Sequence, residues 1–240
     1  MYFSRQFLNL LIAILFLVPV VNIASADSRE KSDFVMVKHS RPRASIVIGS
    51  ESDRTERFAA NELSDYIEKI SGARLPLKKD TDKTEGNLII IGNTRLSKDT
   101  GGSLNSRDIW DDRFRIKATS DRLYLLGASP RGTLFSVYHL LEQFGCRWFD
   151  PGPGGDEIPE LKTISLDVMD TVESADMPRR AFAVFGTYYT PQECVDYIDW
   201  MTKNKLNVFW WGGGNFDKNN RLNLDDWFNN KKDRVLREVL

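Results

Sequence analysis

Two adjacent tryptophans, Trp210 and Trp211, close the stretch 206–211, which reads as a strand. Side chains alternate along a strand, so one ring faces one side and its neighbour the other. An indole stacks well on the C–H face of a sugar, and the competing reading is two core or interface aromatics. The carboxylates are less promising. Asp111-Asp112 and Asp225-Asp226 are adjacent pairs, which on a strand or helix point apart. They read as caps and solvated faces, and do not offer the facing acids, roughly 5–10 Å apart, that glycoside hydrolysis requires. Asp156-Glu157 lies in a glycine-rich loop and reads as a candidate interdomain contact. His39 and His139 cannot build a metal cluster with the two distant cysteines, Cys146 and Cys194, so no metal and no cofactor is expected. Gly127-Ala-Ser-Pro-Arg-Gly132-Thr133 follows a strand and opens a helix, the setting of a phosphate loop. Yet the lysine before the last residue is missing and Pro130 removes an N–H. A tight turn that needs its glycines is the better reading, with Arg131 a solvated or interdomain side chain. Nucleotide binding is the rival, and titration with a nucleoside triphosphate is expected to show none.

These residues must be positioned by a small set of elements. Residues 34–37 and 45–48 read as short strands. Asp53 caps the next helix, with Glu56 completing a capping box. Ala59, Leu63, Tyr66, Ile67 and Ile70 form its apolar stripe, and Gly72 ends it. Residues 75–77 read as an edge strand and 88–91, a continuous β-branched run, as a buried central one. Residues 94–111 form a polar loop. Residues 114–118 and 123–126 alternate as a hairpin around 120–122. Ser129 and Pro130 then start a helix with Leu134, Val137, Tyr138, Leu141 and Phe144 on one face, stopped by Gly145. Ile164, Leu166 and Val168 alternate on a last strand, and 171–178 is a linker. The sum is an α+β domain: a two-layer sandwich of a mixed sheet of about five strands with two amphipathic helices on one face. Beyond it, strand 181–185, a helix begun by Pro191 (Val195, Ile198, Met201 and Thr202 inward) and strand 206–211 make one βαβ unit.

The stretch 112–151 also carries a resemblance. The hairpin, the G-A-S-P-R-G turn, the helix ending L-L-E-Q-F-G-C-R-W-F and the later G-D-E-I-P resemble the non-catalytic α/β domain preceding the barrel in certain glycosidases. These are the β-N-acetylhexosaminidases, the α-glucuronidases and a related bacterial group of unassigned activity. G-C-R-W-F-x-P with G-D-E-I-P is most similar to the latter two branches. The resemblance runs from about residue 44 to 211. It implies that the βαβ unit begins a (β/α)8 barrel, whose active site lies at the C-terminal strand ends. Lys205, Asn207 and Trp211 match the hexosaminidase pattern K-x-N-x-x-x-W-H, while Gly212 stands in place of its histidine. Arg179 and Arg180 lie near a family arginine that holds sugar hydroxyls. The substrate-binding residues implied are therefore Trp211 and Arg180, and the catalytic carboxylates are expected beyond residue 240.

Residues 7–21 form an apolar run interrupted only by Asn9 and Pro19, and Ala24-Ser25-Ala26 supplies a signal-peptidase site before polar residues 27–30. Residues 1–26 thus read as a signal peptide and the mature protein as exported, periplasmic or extracellular, without stable membrane insertion. Thirty-three basic against thirty-four acidic residues leave no net field to attract nucleic acid or anionic lipid. The two cysteines fall in different domains, which argues against a disulfide. The organisation expected is 1–26 signal peptide, 33–172 accessory domain, and 173–240 a linker with the truncated start of a barrel, since a full barrel needs ~250 residues. The function expected is the N-terminal portion of a glycoside hydrolase acting on polysaccharide or oligosaccharide. Its partners would be that carbohydrate and the remainder of its own barrel. The alternative is a non-catalytic carbohydrate-binding or scaffold protein.

Overall fold

A computed structural model describes residues 33–98, 100, 104–185 and 191–212, without the side chains of 184, 185, 191 and 210–212. The expected signal peptide lies outside the described residues. Those described belong to one compact unit, and none of their helices is long and apolar enough to cross a membrane.

The main sheet has six strands: β3 (Ala44–Ile48), β4 (Leu77–Lys79), β5 (Asn87–Ile91), β6 (Phe114–Ala118), β7 (Arg122–Gly127) and β11 (Met169–Glu173). Their spatial order is β11-β6-β7-β5-β3-β4. The pairs β7-β5, β5-β3 and β3-β4 are parallel, and β11-β6 and β6-β7 antiparallel. The expected hairpin is β6-β7, and the β-branched run is β5, flanked on both sides. Two helices, α1 (Arg54–Ser71) and α2 (Pro130–Gln143), pack on one face. There Ile46, Ile89, Ile91, Ile116, Leu123 and Leu125 meet Leu63, Ile67, Leu134 and Val137 in one buried cluster. Burial of such side chains contributes about 1.5–3 kcal/mol each, which makes this layer the main source of stability.

The ends of α1 follow the sequence signals. The Asp53 carboxylate accepts from Thr55 N at 2.7 Å, and Glu56 Oε2 accepts from Asp53 N at 3.1 Å. Glu56 also reaches the end of β5, where Oε1 accepts from Asn93 N at 2.9 Å. A β-carbon on Gly92 would sit 2.1 Å from that oxygen, so the glycine is sterically required. At the other end Gly72 takes φ +73° and donates to Glu68 O.

Three features differ from the sequence reading. First, β1 (Phe34–Lys38) pairs with β10 (Ile164–Leu166) and β2 (Arg41–Pro42) in a separate three-stranded sheet. Its alternation places it in some sheet, but a register shift between Val35 and Val37 turns adjacent residues inward and sets it apart. Second, residues 171–173, expected in the linker, belong to β11, which pairs along the whole length of β6. Third, α2 is buried on more than one stripe, from Gly132 to Leu141 except His139. The second buried side faces the βαβ unit, β12 (Ala181–Phe185), α3 (Pro191–Lys203) and β13 (Val208–Gly212). In that unit β12 and β13 pair in parallel, Ala181 beside Val208. Ile198, Met201 and Thr202 are buried as expected, while Cys194 takes the inward place expected of the half-buried Val195.

Candidate functional site

The densest polar arrangement lies where α2 and the short ribbon after it meet the βαβ unit. The ribbon is β8 (Arg147–Trp148) paired with β9 (Asp156–Glu157). At one end of this seam sits Asp112, its side chain 2% exposed. It is not the solvated face expected of the Asp111-Asp112 pair. Its Oδ1 accepts from Arg131 Nε at 2.7 Å, and its Oδ2 accepts from Arg180 Nη2 and Asn207 Nδ2, both at 2.7 Å. Asp111, by contrast, pairs locally with Arg113, which lowers its pKa to about 2.

Around this carboxylate the two parts are laced together. Arg180 N donates to Asn207 Oδ1 at 2.8 Å, and Arg180 Nε to Lys205 O at 2.7 Å. Arg180 Nη1 donates to Met177 O at 2.8 Å, and the guanidinium lies 5.7 Å from the centre of the Phe135 ring on α2. Arg131, near the start of α2, also donates to Ile109 O. Both of its partners lie, like Arg131 itself, within residues 33–172, so it steadies Asp112 from the α2 side and, among the described residues, makes no bond to the βαβ unit. Lys205 Nζ is bonded to Glu142 on α2. Lys205 itself takes φ +60° just beyond α3, a conformation unusual for a residue with a β-carbon. Its ion pair helps to hold it there.

The other end of the seam is aromatic. Trp148 Nε1 donates to Tyr66 Oη at 2.9 Å, and that hydroxyl donates to Asp156 Oδ2 at 3.1 Å. The Trp148 ring meets Tyr66 and Tyr138 edge-on, at 5.6 and 5.4 Å between centres. From α3, Trp200 Nε1 and Asn204 Nδ2 both donate to Trp148 O, at 3.0 and 3.1 Å. Lys203 Nζ bonds Asp199 at 2.6 Å and lies 3.9 Å from Asp156. Burial disfavours this ammonium, but Asp199 and the Tyr66 hydroxyl outweigh it and raise its pKa. Burial raises the Glu62 carboxyl against the bond it accepts from Tyr138 Oη at 2.8 Å. Asp156 of the G-D-E-I-P segment thus lies against both Tyr66 of α1 and Lys203 of α3.

The two expected substrate-binding residues are not brought together. Arg180 precedes β12 at its N-terminal end. Trp211 lies on β13 beside Val184, four residues on and roughly 13 Å along the strands. The backbone of Trp210 and Trp211 is in β13, but their side chains lie outside the described residues. Of the matched pattern residues, Lys205 and Asn207 serve the seam. Asp225-Asp226 also lies outside the described residues.

A cleft of about 810 Å³ opens where β5 and β7 end, bordered by Asn93, Lys98, Asn105, Asp108 and Ser129. Its G-A-S-P-R-G wall is closed on itself: Gly127 N donates to Thr133 Oγ1, and Gly132 N to Ser129 Oγ. A β-carbon on Gly127 would lie 2.1 Å from Thr133 N, which is the tight-turn requirement. His139 packs 5.3 Å from Phe114 as a half-buried ring. No group of three or more metal-ligating side chains occurs among the described residues. Asp112 is the buried residue of the seam that sequence reasoning missed. Its partners lie 19, 68 and 95 residues away, so no local pattern marks it.

Comparison with known proteins agrees with this architecture. Residues 32–140 match the family described as Glycosyl hydrolase family 67 N-terminus. Alpha-glucuronidase A of Emericella nidulans is 28% identical over 105 residues, 42% of this chain and 12% of that protein. Among solved structures, a family GH115 4-O-methyl-α-glucuronidase with specificity for decorated arabinogalactans is similar over 75% of this chain and 26% of its own. Its TM-score is 0.57 at 17% identity. A chitobiase of Flavobacterium johnsoniae covers 75% of this chain and 24% of its own, with a TM-score of 0.50 at 13% identity. At such identities the solved structures show a shared fold. The chain thus carries an N-terminal domain of glycoside hydrolases, and it spans a small part of the relatives it matches.

Proposed function

We propose that this chain is the N-terminal portion of an exported glycoside hydrolase acting on polysaccharide or oligosaccharide, α-glucuronidase-like or hexosaminidase-like. In this reading residues 33–172 form an accessory domain, and β12-α3-β13 is the first unit of a (β/α)8 barrel. The domain braces that unit and does no chemistry itself. The observation that carries the reading is the seam around Asp112, where Arg180 and Asn207 from the βαβ unit share one buried carboxylate. Three charge-assisted or amide bonds to a single buried group fix orientation far more than sliding apolar surfaces do. The bracing holds β12 and β13 in the parallel register that a barrel needs.

Trp211, near the C-terminal end of β13, is then placed for a sugar subsite at the barrel mouth. Arg180, at the opposite end of β12 and bonded to Asp112, Lys205 O and Met177 O, belongs in this reading to the seam and not to that subsite. The test uses the protein carrying its whole barrel. Trp211→Ala is expected to raise KM for an aryl glycoside several-fold with little change in melting temperature, since sugar–indole stacking contributes on the order of 1 kcal/mol. Trp210→Ala should do the reverse. Unchanged KM in Trp211→Ala removes the sugar-facing assignment. Equal activity and stability after deletion of residues 33–172 removes the bracing role. Export is tested separately: the secreted protein should begin at Asp27.

A further inference from the structure

We propose that the hairpin tip between β1 and β2 is a docking site for a polyanionic polysaccharide, held by Lys38, Arg41 and Arg43. The segment Lys38-His-Ser-Arg-Pro-Arg43 is exposed throughout. Lys38 and Arg41 are directly paired across the ribbon. Like charges in that position repel and destabilise a hairpin. The turn joining them is made by His39 and Ser40 at φ +51° and +56°. Two successive left-handed residues are ordinarily Asn-Gly or Gly-Gly, because a β-carbon is strained there.

Both costs are held in place by the frame below. His39 N donates to Thr163 Oγ1 at 3.2 Å, Ser40 N to Lys162 O at 2.7 Å, and Arg43 N to Met36 O at 2.8 Å. Phe34, Met36 and Val37 anchor β1 in the core. No carboxylate among the described residues offsets the charge. Among the described residues, Arg74, Arg113, Arg115, Arg122, Arg131 and Arg180 have carboxylate partners, while Arg54 and Arg107, like the tip, form no ion pair there. Lys38, Arg41, Arg43 and the neighbouring Lys162 have no side-chain hydrogen bond or ion pair among those residues. Strain and repulsion kept at an exposed, cationic tip point to an anion that relieves them.

The chemistry of the tip selects among polyanions. Residues 38–43 include no Trp, Tyr or Phe on which bases would stack, as single-stranded nucleic acid requires. Acidic bilayers held by charge alone take clusters of roughly four to eight basic residues; Lys38, Arg41, Arg43 and Lys162 stand at the bottom of that range, and no large exposed apolar side chain lies in this tip to insert. An acidic protein partner would need a buried anchor pocket, and residues 38–43, all exposed, supply none. A flexible glycan with a carboxylate on each repeat needs only spaced cations, which the ribbon supplies. This site requires no barrel and no catalytic step.

The experiment is affinity electrophoresis of the 240-residue chain through gels containing polygalacturonate, with neutral dextran as control. Retardation is expected in polygalacturonate only, and should weaken at about 0.5 M NaCl, where surface charges are screened. The triple variant K38E/R41E/R43E should bind about tenfold more weakly or less, as expected when several exposed ion pairs are lost. Lys38→Glu alone turns the repelling pair into an attracting one, so it should weaken binding while raising the melting temperature. Undiminished binding by the triple variant, equal retardation in dextran, or binding to phosphatidylglycerol vesicles without binding to polygalacturonate would each overturn the proposal. Because the readout is binding to a polymer and not turnover, its failure leaves the glycosidase reading untouched.

Discussion

The two buried regions of this molecule are built from opposite chemistry. Between the main sheet and the helices α1 and α2, the buried side chains are mainly hydrocarbon: Ile46, Ile89, Leu63, Leu134 and their neighbours. Between α2 and the βαβ unit the contacts are carboxylate, guanidinium, amide, ammonium and indole N–H. The first kind of contact is non-directional and gives stability roughly in proportion to area. The second gives little net stability, because desolvation cancels most of the attraction, but it punishes any wrong geometry. The difference teaches how labour is divided: the core makes the domain fold, and the seam decides how the βαβ unit sits on it.

That comparison breaks most visibly in the core. Leu63→Ala removes a fully buried side chain facing the sheet. It should cost about 3–5 kcal/mol, with transfer and cavity contributions together. Urea unfolding followed by circular dichroism checks it, and the whole chain should lose structure at a lower midpoint. A loss under about 1 kcal/mol would mean the layer repacks freely and is not the source of stability assigned to it.

Asp112→Asn should come next, at about 2 kcal/mol, the scale of hydrogen bonds to charged groups. Asp112 only accepts, and whichever way an amide turns there, an N–H faces at least one of Arg131, Arg180 and Asn207. The distinguishing readout is hydrogen exchange. β12 and β13 should lose protection while β3 and β5 keep theirs. Uniform loss of protection in both regions would show that the seam and the core are a single cooperative body.

The two regions were not equally legible in the sequence. Helix α1, its capping box, its stripe and its Gly72 stop are local signals, and each appears where the spacing puts it. The central position of β5 follows from Leu88-Ile-Ile-Ile91, apolar on both faces. Asp112 was opaque because its meaning depends on partners from three distant segments, brought together by tertiary packing alone. The assignment of β1 to its own sheet and of β11 to the edge beside β6 are pairing choices. Alternation identifies a strand but not its neighbour. Of the candidate site, Asp156 was readable as a contact residue because it stands beside recognisable turn signals. Among the described residues Arg131, near the start of α2, bonds only Asp112 and Ile109 of its own part. Lys205 and Asn207 were visible only as matches to a pattern, without the reason for it.

Smaller effects should appear on titration. Burial raises the Glu62 pKa above its ordinary 4.5. A carboxyl raised on folding contributes stability that is fully present below that ordinary value and is lost as pH rises through the folded one. The Arg113 guanidinium lowers Asp111 to about 2, so its contribution is present above 3.8 and is lost as pH falls through about 2. The urea midpoint of the native chain should therefore fall as pH rises from about 4 towards neutrality on account of Glu62. In Glu62→Gln that fall should be absent, because the amide oxygen still accepts from Tyr138 and carries no charge. In Asp111→Asn the acid-side loss should shrink. An unaltered slope in Glu62→Gln would show that its carboxyl is solvated and belongs to neither region.

The smallest perturbation changes no residue and uses the chain's own cysteines as reporters. Cys146 is fully buried in the core cluster, and Cys194 is buried on α3. Both are free thiols, and burial pushes each up to about 11. At pH 8 the folded protein therefore exposes almost no thiolate at either position, and a disulfide reagent must wait for an opening. If the polar seam releases the βαβ unit without unfolding the apolar layer, Cys194 should react by a local opening and Cys146 only by global unfolding. The rate at Cys194 should then be nearly independent of low urea, while that at Cys146 should rise steeply with it. Asp112→Asn should accelerate the first rate more than the second. Equal rates with equal urea dependence would mean that neither region opens before the other, and the division between a stabilising core and an orienting seam would fail at the level of dynamics.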